Sequence, residues 1–264
     1  MPTDLVSTAF YEPLGEGRFR STERTEGPWS PELQHAGPPS ALIVRALEAC
    51  EPRPELQLSR LVIEILGAVP VAELEVRAEV VRPGRSVELL SAELSAGGRV
   101  AMRATAWRVT RAEVDAGPPE DPVPALPAAS SPPPDAIAHS GYLRSIEWRA
   151  VTGDWQQPGP AAVWGRQRVP LVEGEEPTGL QRLFCVADSS SGISAALPWT
   201  GWMFVNTDLT VHVTREPRGE WILLDAVTRV ASGGAGLATA ALGDADGILG
   251  RGAQTLLVRP VPGA

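Results

Sequence analysis

The chain has 264 residues, of which 43% are hydrophobic and 21% charged, so it is long and apolar enough to bury a sizeable core. Its net charge of −9 argues against a nucleic-acid-binding surface, which needs clustered Lys and Arg. No apolar run approaches the ~20 residues that span a bilayer, and the start MPTDLVSTAF has no signal-peptide pattern, so we expect a cytoplasmic protein without a membrane span.

A helix is predicted in the first half, in the segment HAGPPSALIVRALEAC. Ile43, Ala46, Leu47 and Cys50 recur there at the spacing i, i+3, i+4 and i+7, which places them on one apolar helix face. In the segments that follow, apolar and polar residues largely alternate, which is typical of half-buried antiparallel strands. These segments are LSRLVIEILGAVPV, AELEVRAEVVRPG, RSVELLSAELSAGG and RVAMRATAWRVT.

A proline-rich segment comes next. Between Arg111 and Ser140 the chain contains eight prolines and no hydrophobic periodicity. Proline fixes φ and removes a backbone donor, so such a segment is typical of a semi-extended surface linker. We therefore predict an N-terminal unit over residues 1–112, a linker over 113–140 and a C-terminal unit over 141–264.

The second half repeats the order of the first. Thr178 and Gln181 have the spacing of a capping box at the start of a second amphipathic helix, PTGLQRLFCVADSSSG. The strand-like segments after it are WMFVNTDLTVHVTREP, GEWILLDAVTRVAS, AGLATAALGDADG and GILGRGAQTLLVRP. This internal duplication predicts an α+β protein in which two fused units share one long curved antiparallel sheet around two central helices. The alternative is two independent α+β domains without a shared site.

Three segments carry a resemblance to a known family: QHAGPPSALIVRALE, FVNTDLTVHVTREPRGEWILLDAVTR and GILGRGAQTLLVRP. They resemble the thioesterase-like superfamily related to acyl-CoA thioesterase II. The resemblance implies a double hotdog fold, hydrolysis of an acyl-CoA or another acyl thioester, and an Asp, a hydroxyl residue and a Gln that activate water. The Asp matches Asp208 and the Gln matches Gln254. The hydroxyl position falls on Arg229, and Thr228 beside it points to the opposite face of the strand.

Asp208 is the candidate base that would take a proton from the hydrolytic water. Asp208, Thr210 and His212 share one face of their strand, which either lines a pocket or is a solvated outer face. Gln254 lies in an otherwise apolar terminal strand, where its amide can both donate to and accept from a water. A purely structural hydrogen bond is the alternative for this residue.

Further candidates for substrate binding lie near the two helices. His35 and Gly37 stand at the start of the first helix, where free backbone N–H groups can polarise a thioester carbonyl, although the next two residues are prolines. His35 is otherwise a packing residue. Asp188 ends the second helix, where a carboxylate is unfavourable and needs a partner. As a candidate base it ranks below Asp208. Trp202 either walls an acyl pocket or packs in the core.

Two functions are compatible with these residues. The first is acyl-CoA hydrolysis with water activated at Asp208 and oriented by Gln254. The second is non-catalytic binding of acyl-CoA or another acyl ligand, suggested by Arg229, which cannot act as a base. A hotdog hydratase would need an Asp and a His in a longer motif than the spacing from Asp208 to His212 offers. CoA is anionic, so binding it requires a local group of arginines. We expect no cofactor and no metal ion, and unpaired sheet edges and faces predict a homodimer or a larger homo-oligomer.

Overall fold

The computed structural model describes residues 6–115, 122–135, 137–154, 157–199 and 201–261. The predicted linker includes residues 116–121 and 136, which lie outside the described residues. The predicted helices and strands all lie within the described residues.

The first half contains helix α1 (Gly37–Ala49) and a short 3-10 helix (Glu23–Thr25). Its strands are β1 (Tyr11–Gly15), β2 (Arg18–Ser21), β3 (Leu56–Ile65), β4 (Glu73–Arg82), β5 (Val87–Ala96) and β6 (Arg99–Thr110). The helices of the second half are α2 (Gly141–Ser145), α3 (Gly179–Ala187) and α4 (Ser190–Ile193). Its strands are β7 (Ile146–Asp154), β8 (Gln157–Gln167), β9 (Trp202–Asn206), β10 (Asp208–Val213), β11 (Trp221–Val230), β12 (Ala235–Asp244) and β13 (Gly247–Pro260).

The 13 strands of the described residues form one antiparallel sheet, in the order β1-β2-β4-β5-β6-β3-β10-β13-β12-β11-β8-β7, with β9 also paired to β13. The two halves join where β3 pairs with β10, in the register that sets Val62 against Thr210. Helix α1 contacts β4 and β5, α3 contacts β8 and β11, and the two helices contact each other. The sheet therefore wraps around both helices, as the duplication predicts.

The start of α1 lies close against the end of α3. Prolines occupy the first turn of α1, where no intrahelical N–H donor is needed. Gly37 has no Cβ, and a Cβ there would overlap the backbone oxygen of Cys185. At the start of α3, Thr178 Oγ1 accepts the N–H of Gln181 at 3.2 Å. The Gln181 amide donates to Glu48 at 2.6 Å instead of closing the predicted capping box.

The described part of the linker contains neither helix nor strand and runs along β7. The N–H of Ser131 donates to the oxygen of Trp148 at 2.7 Å, and Arg149 donates to the oxygen of Pro127 at 2.8 Å. Strands β1, β2, β7 and β8 are absent from the sequence prediction; β8 contains two prolines and two glycines, which weaken a strand pattern. None of the helices in the described ranges is long and apolar enough to cross a membrane.

Candidate active site

A β-bulge at Thr207 separates β9 from β10. Asn206 pairs with Leu256 of β13, whereas the β10–β13 register extended to Asp208 sets that residue against Thr255. Three residues of one strand thus face two of the other, and Thr207 is the extra residue. Because of this insertion, Asn206 points to the inner face of the sheet and Asp208 to the outer face, although both positions are even.

Asp208 therefore lies away from the helices. The next residue, Leu209, is buried on the inner face. Asp208 Oδ1 accepts the Thr255 N–H at 2.8 Å, and its Oδ2 accepts from Thr210 Oγ1 at 3.2 Å, so the carboxylate binds a backbone donor beside the bulge. Gln254 is fully buried on the inner face. The expected convergence of Asp208 and Gln254 is not found, because the two side chains lie on opposite faces of the sheet.

The carboxylate beside Gln254 is that of Asp188, at the C-terminal end of α3. Gln254 Nε2 donates to the backbone oxygen of Asp188 at 2.9 Å and to its Oδ1 at 3.0 Å. Asn206 Nδ2 donates to the same Oδ1 at 2.7 Å. Gln254 Oε1 accepts the Ser191 N–H at 3.1 Å. The two amides hold one carboxylate oxygen and supply the partner that a helix-terminal carboxylate needs.

His35 lies against the other carboxylate oxygen. Its Nδ1 is 3.2 Å from Asp188 Oδ2 and accepts the N–H of Gly37 at 3.0 Å. The imidazole stacks on the ring of Tyr142, with centroids 3.7 Å apart and an interplanar angle of 12°. Tyr142 in turn donates to the backbone oxygen of Cys185 at 2.9 Å. The ring of His35 is thus held in position from two sides.

The electrostatics of the pair follow from burial. Burial raises the pKa of Asp188 to about 6, against the lowering effect of the hydrogen bonds from Asn206 and Gln254. Burial also lowers the pKa of His35 to about 3, so the imidazole is neutral at pH 7 and its contact with Asp188 is no ion pair. A carboxylate that changes protonation near neutral pH is suited to acid–base catalysis.

A cavity of about 420 Å³ opens beside this cluster. Asp188, Asn206 and His35 border it, whereas Gln254 lies behind Asp188. Arg259 is the one cationic side chain among the described residues that line it. Most of the wall is apolar, and its larger members are Trp29, Leu33, Ile65, Val69, Ile137, Leu143, Trp199, Met203, Phe204 and Val205. The cavity is of the size and polarity typical of sites for apolar ligands.

Comparison with known proteins assigns this chain to a family. The model of the acyl-CoA thioesterase C-terminal domain matches residues 119–258, and that of the N-terminal domain matches residues 25–109. The chain belongs to the acyl-CoA thioesterase family. No curated protein sequence matches it significantly.

Solved structures confirm the predicted α+β double hotdog fold of this thioesterase-family chain. One is a conserved protein of unknown function with a hot dog fold from Alicyclobacillus acidocaldarius, with a TM-score of 0.71, 18% identity and coverage of 94% of this chain and 95% of that one. Another is an acyl-CoA thioesterase II from Mycobacterium marinum, with a TM-score of 0.66, 20% identity and coverage of 96% of each chain.

Other predicted site residues of the thioesterase-family chain lie elsewhere. Thr228 is buried, with its Oγ1 2.8 Å from Ser194 Oγ, and does not line the cavity. Arg229 is exposed on the outer face. Trp202 packs beside the small hydrophobic cluster that includes Phe204 and also lies outside the cavity lining.

The predicted oxyanion donors at the start of α1 are occupied. The Gly37 N–H donates to His35 Nδ1, the two following prolines have no N–H, and the Ser40 N–H donates to the oxygen of Ala36 at 3.0 Å. The helix start therefore positions His35 and does not offer these groups to a substrate.

Sequence reasoning missed Asn206 and Tyr142. The signal for Asn206 was a run of three polar residues, 206–208, inside an alternating segment, which is one way that a bulge interrupts a strand pattern. Tyr142 follows the linker in a segment without clear periodicity, so its stacking on His35 left no local signal.

Proposed function

We propose that this protein hydrolyses acyl thioesters of the acyl-CoA class, with Asp188 as the general base. The observation that carries the proposal is a buried carboxylate at the wall of an apolar cavity, with Oδ1 held by the amides of Asn206 and Gln254. Membership of the acyl-CoA thioesterase family supports the choice of substrate class.

In the proposed reaction, Asp188 Oδ2 removes a proton from water while the water oxygen bonds to the thioester carbonyl carbon. The C–S bond then breaks, the electron pair leaves with sulfur, and the proton passes from Asp188 to the thiolate. The products are a carboxylic acid and a free thiol, and Asp188 returns to its ionised form. General-base assistance of this kind contributes ~10²–10⁴-fold to a rate.

Asn206 is the candidate for stabilising the developing negative charge. It lines the cavity, and its Nδ2 carries a second N–H besides the one that Asp188 accepts. An N–H donor placed in a site with little water stabilises an oxyanion far better than the same donor in solution. Gln254 acts behind the carboxylate as a positioning residue, because it donates to Asp188 twice.

The geometry does not support water activation by Asp208 together with Gln254, because the two side chains lie on opposite faces of the sheet. Asp208 is instead the natural control for Asp188, because both are aspartates that accept hydrogen bonds and only one borders the cavity. The test is thiol release from a panel of acyl-CoA substrates, compared between the wild type, Asp188→Asn and Asp208→Asn.

We expect Asp188→Asn to lose ~10²-fold or more of kcat and Asp208→Asn to stay within a few-fold of the wild type. Equal loss in both variants, or loss in Asp208→Asn alone, would contradict Asp188 as the base. Tight acyl-CoA binding by the wild type without turnover would instead favour the non-catalytic alternative. This alternative was suggested by Arg229 at the expected hydroxyl position, and that side chain is exposed on the outer face of the sheet.

A further inference from the structure

The two oxygens of Asp188 have different surroundings. Oδ1 accepts N–H groups from Asn206 and Gln254, so a proton on Oδ1 would point toward donors. Oδ2 lies 3.2 Å from His35 Nδ1. A proton on the carboxyl group is therefore accommodated on Oδ2, where it faces a ring nitrogen.

The backbone N–H of Gly37 determines whether His35 Nδ1 carries a proton. The Gly37 N–H donates to Nδ1 at 3.0 Å, and a backbone N–H can only donate, so Nδ1 presents its lone pair. The neutral ring then carries its single proton on Nε2. An unprotonated Nδ1 beside a carboxyl oxygen is favourable when that oxygen bears a proton, because the O–H then donates to the single lone pair of Nδ1, which it shares with the Gly37 N–H in a three-centre hydrogen bond.

We propose that His35 is a positioning residue that accepts a hydrogen bond from the protonated form of Asp188 and itself neither gains nor loses a proton. In the proposed hydrolysis, the proton taken from water resides on Oδ2 and is held by Nδ1 until it passes to the leaving sulfur. His35 thereby stabilises the acid form of Asp188 that exists during turnover. This role rests on Asp188 being the base.

The groups around the pair leave the ring neutral. Tyr142 from α2 stacks on the imidazole, and Cys185 from α3 lies one turn before Asp188. Burial raises the pKa of both the Tyr142 hydroxyl and the Cys185 thiol, so neither supplies a charge near pH 7. Arg259 is the remaining charged group among the described cavity-lining residues, and its side chain donates to Met203 Sδ at 3.9 Å.

The deciding measurement is ¹⁵N NMR of the histidine rings in the substrate-free protein, because it reports the protonated nitrogen without any need for turnover. The chain has three histidines, and His139→Gln and His212→Gln variants assign the signals of the two exposed ones. We expect His35 to be neutral with an unprotonated Nδ1. We also expect its Nδ1 signal to respond to a titration near pH 6 that disappears in Asp188→Asn. A protonated Nδ1, a charged ring, or no response to Asp188 would overturn the proposal.

Kinetics supply a second test, with a matched pair of variants. His35→Asn keeps an acceptor that can bind the Gly37 N–H, as Asn does in Asx turns, whereas His35→Phe keeps an aromatic ring for Tyr142 and removes the acceptor. We expect kcat to fall roughly 10-fold in His35→Phe with KM little changed, and to stay within a few-fold of the wild type in His35→Asn. Equal losses in both variants, or a loss confined to KM, would overturn the proposal.

The two proposals can fail separately. If Asp188→Asn hydrolyses as fast as the wild type, the proposed base is wrong, whatever the tautomer of His35. If Asp188→Asn is inactive but Nδ1 carries the proton, Asp188 stands as the base and the role of His35 is overturned.

Discussion

Asp188 occupies a position that is unfavourable for a negative charge. It is almost fully buried and lies at the C-terminal end of α3, where the helix dipole also opposes a carboxylate. Asn206 and Gln254 offset part of this cost through two hydrogen bonds to Oδ1. The site thus gives up stability to keep an ionisable group in an apolar cavity, a common feature of active sites.

Replacement of Asp188 by Asn should therefore stabilise the fold at neutral pH. The pKa is raised from 3.8 to about 6 on folding, so the folded state binds this proton more tightly. The free energy of unfolding of the wild type should therefore fall by up to ~3 kcal/mol as pH rises from about 4 to about 6. Above that range this group should cause no further change. An Asn at 188 mimics the protonated carboxyl group and escapes the penalty.

Urea unfolding at pH 8 and at pH 4 checks this expectation. Asp188→Asn should be more stable than the wild type at pH 8, and the difference should shrink at pH 4. Asp208→Asn, on the outer face, should show no such gain. An Asp188→Asn protein less stable than the wild type at pH 8 would mean that the ionised carboxylate is not a net cost.

At the scale of elements, two local features bring the site together. The bulge at Thr207 turns Asn206 inward, and the close approach of α1 to α3 sets His35 against Asp188. The approach depends on Gly37, because a Cβ there would overlap the Cys185 carbonyl oxygen. Both features are local properties of the backbone that decide which side chains meet.

Gly37→Ala tests the helix contact. The backbone at this glycine is helical, so the added methyl acts through overlap alone. It should push α1 from α3, cost ~1–3 kcal/mol of stability as overpacking does, and lower kcat by displacing His35. Thermal unfolding and thiol-release assays measure both effects. Gly233→Ala is the control, since a Cβ there meets nothing within 4 Å; similar behaviour of the two variants would argue against a tight contact.

At the scale of the whole molecule, part of each terminal strand of the sheet is covered. Residues Phe10 and Tyr11, at the β1 edge, donate to the oxygens of Pro170 and Leu171 at 3.2 and 3.0 Å, and the linker runs along β7. Such covers discourage the addition of strands from other molecules. If copies associate, we expect them to do so through sheet faces.

The homodimer expected from the sequence stays a proposal. Light scattering of the purified protein should give a mass of at least twice 28.0 kDa. A mass near 28.0 kDa at micromolar concentration would contradict it, and strand exchange at a sheet edge would contradict the use of faces.

The amino-acid pattern alone determined the two main helices, α1 and α3, and the strands that follow each of them. The apolar spacing in α1 and α3 and the alternation in β3 to β6 and in β9 to β13 are local properties of the chain, and each predicted element is present. The resemblance placed Gln254 in the second unit, and the carboxylate at the end of α3 was recognised as needing a partner. Proline and glycine hid β8, because they are poor strand formers.

The tertiary structure decided which residues meet. Strict alternation places Asp208 by counting from its neighbours, but one extra residue at Thr207 reverses the face on which Asn206 lies, and a period of two cannot reveal it. The contacts of Asp188 with Asn206, Gln254 and His35 join positions up to 153 residues apart in the chain. No local sequence pattern specifies such long-range contacts, because they follow from how the sheet wraps around the two helices.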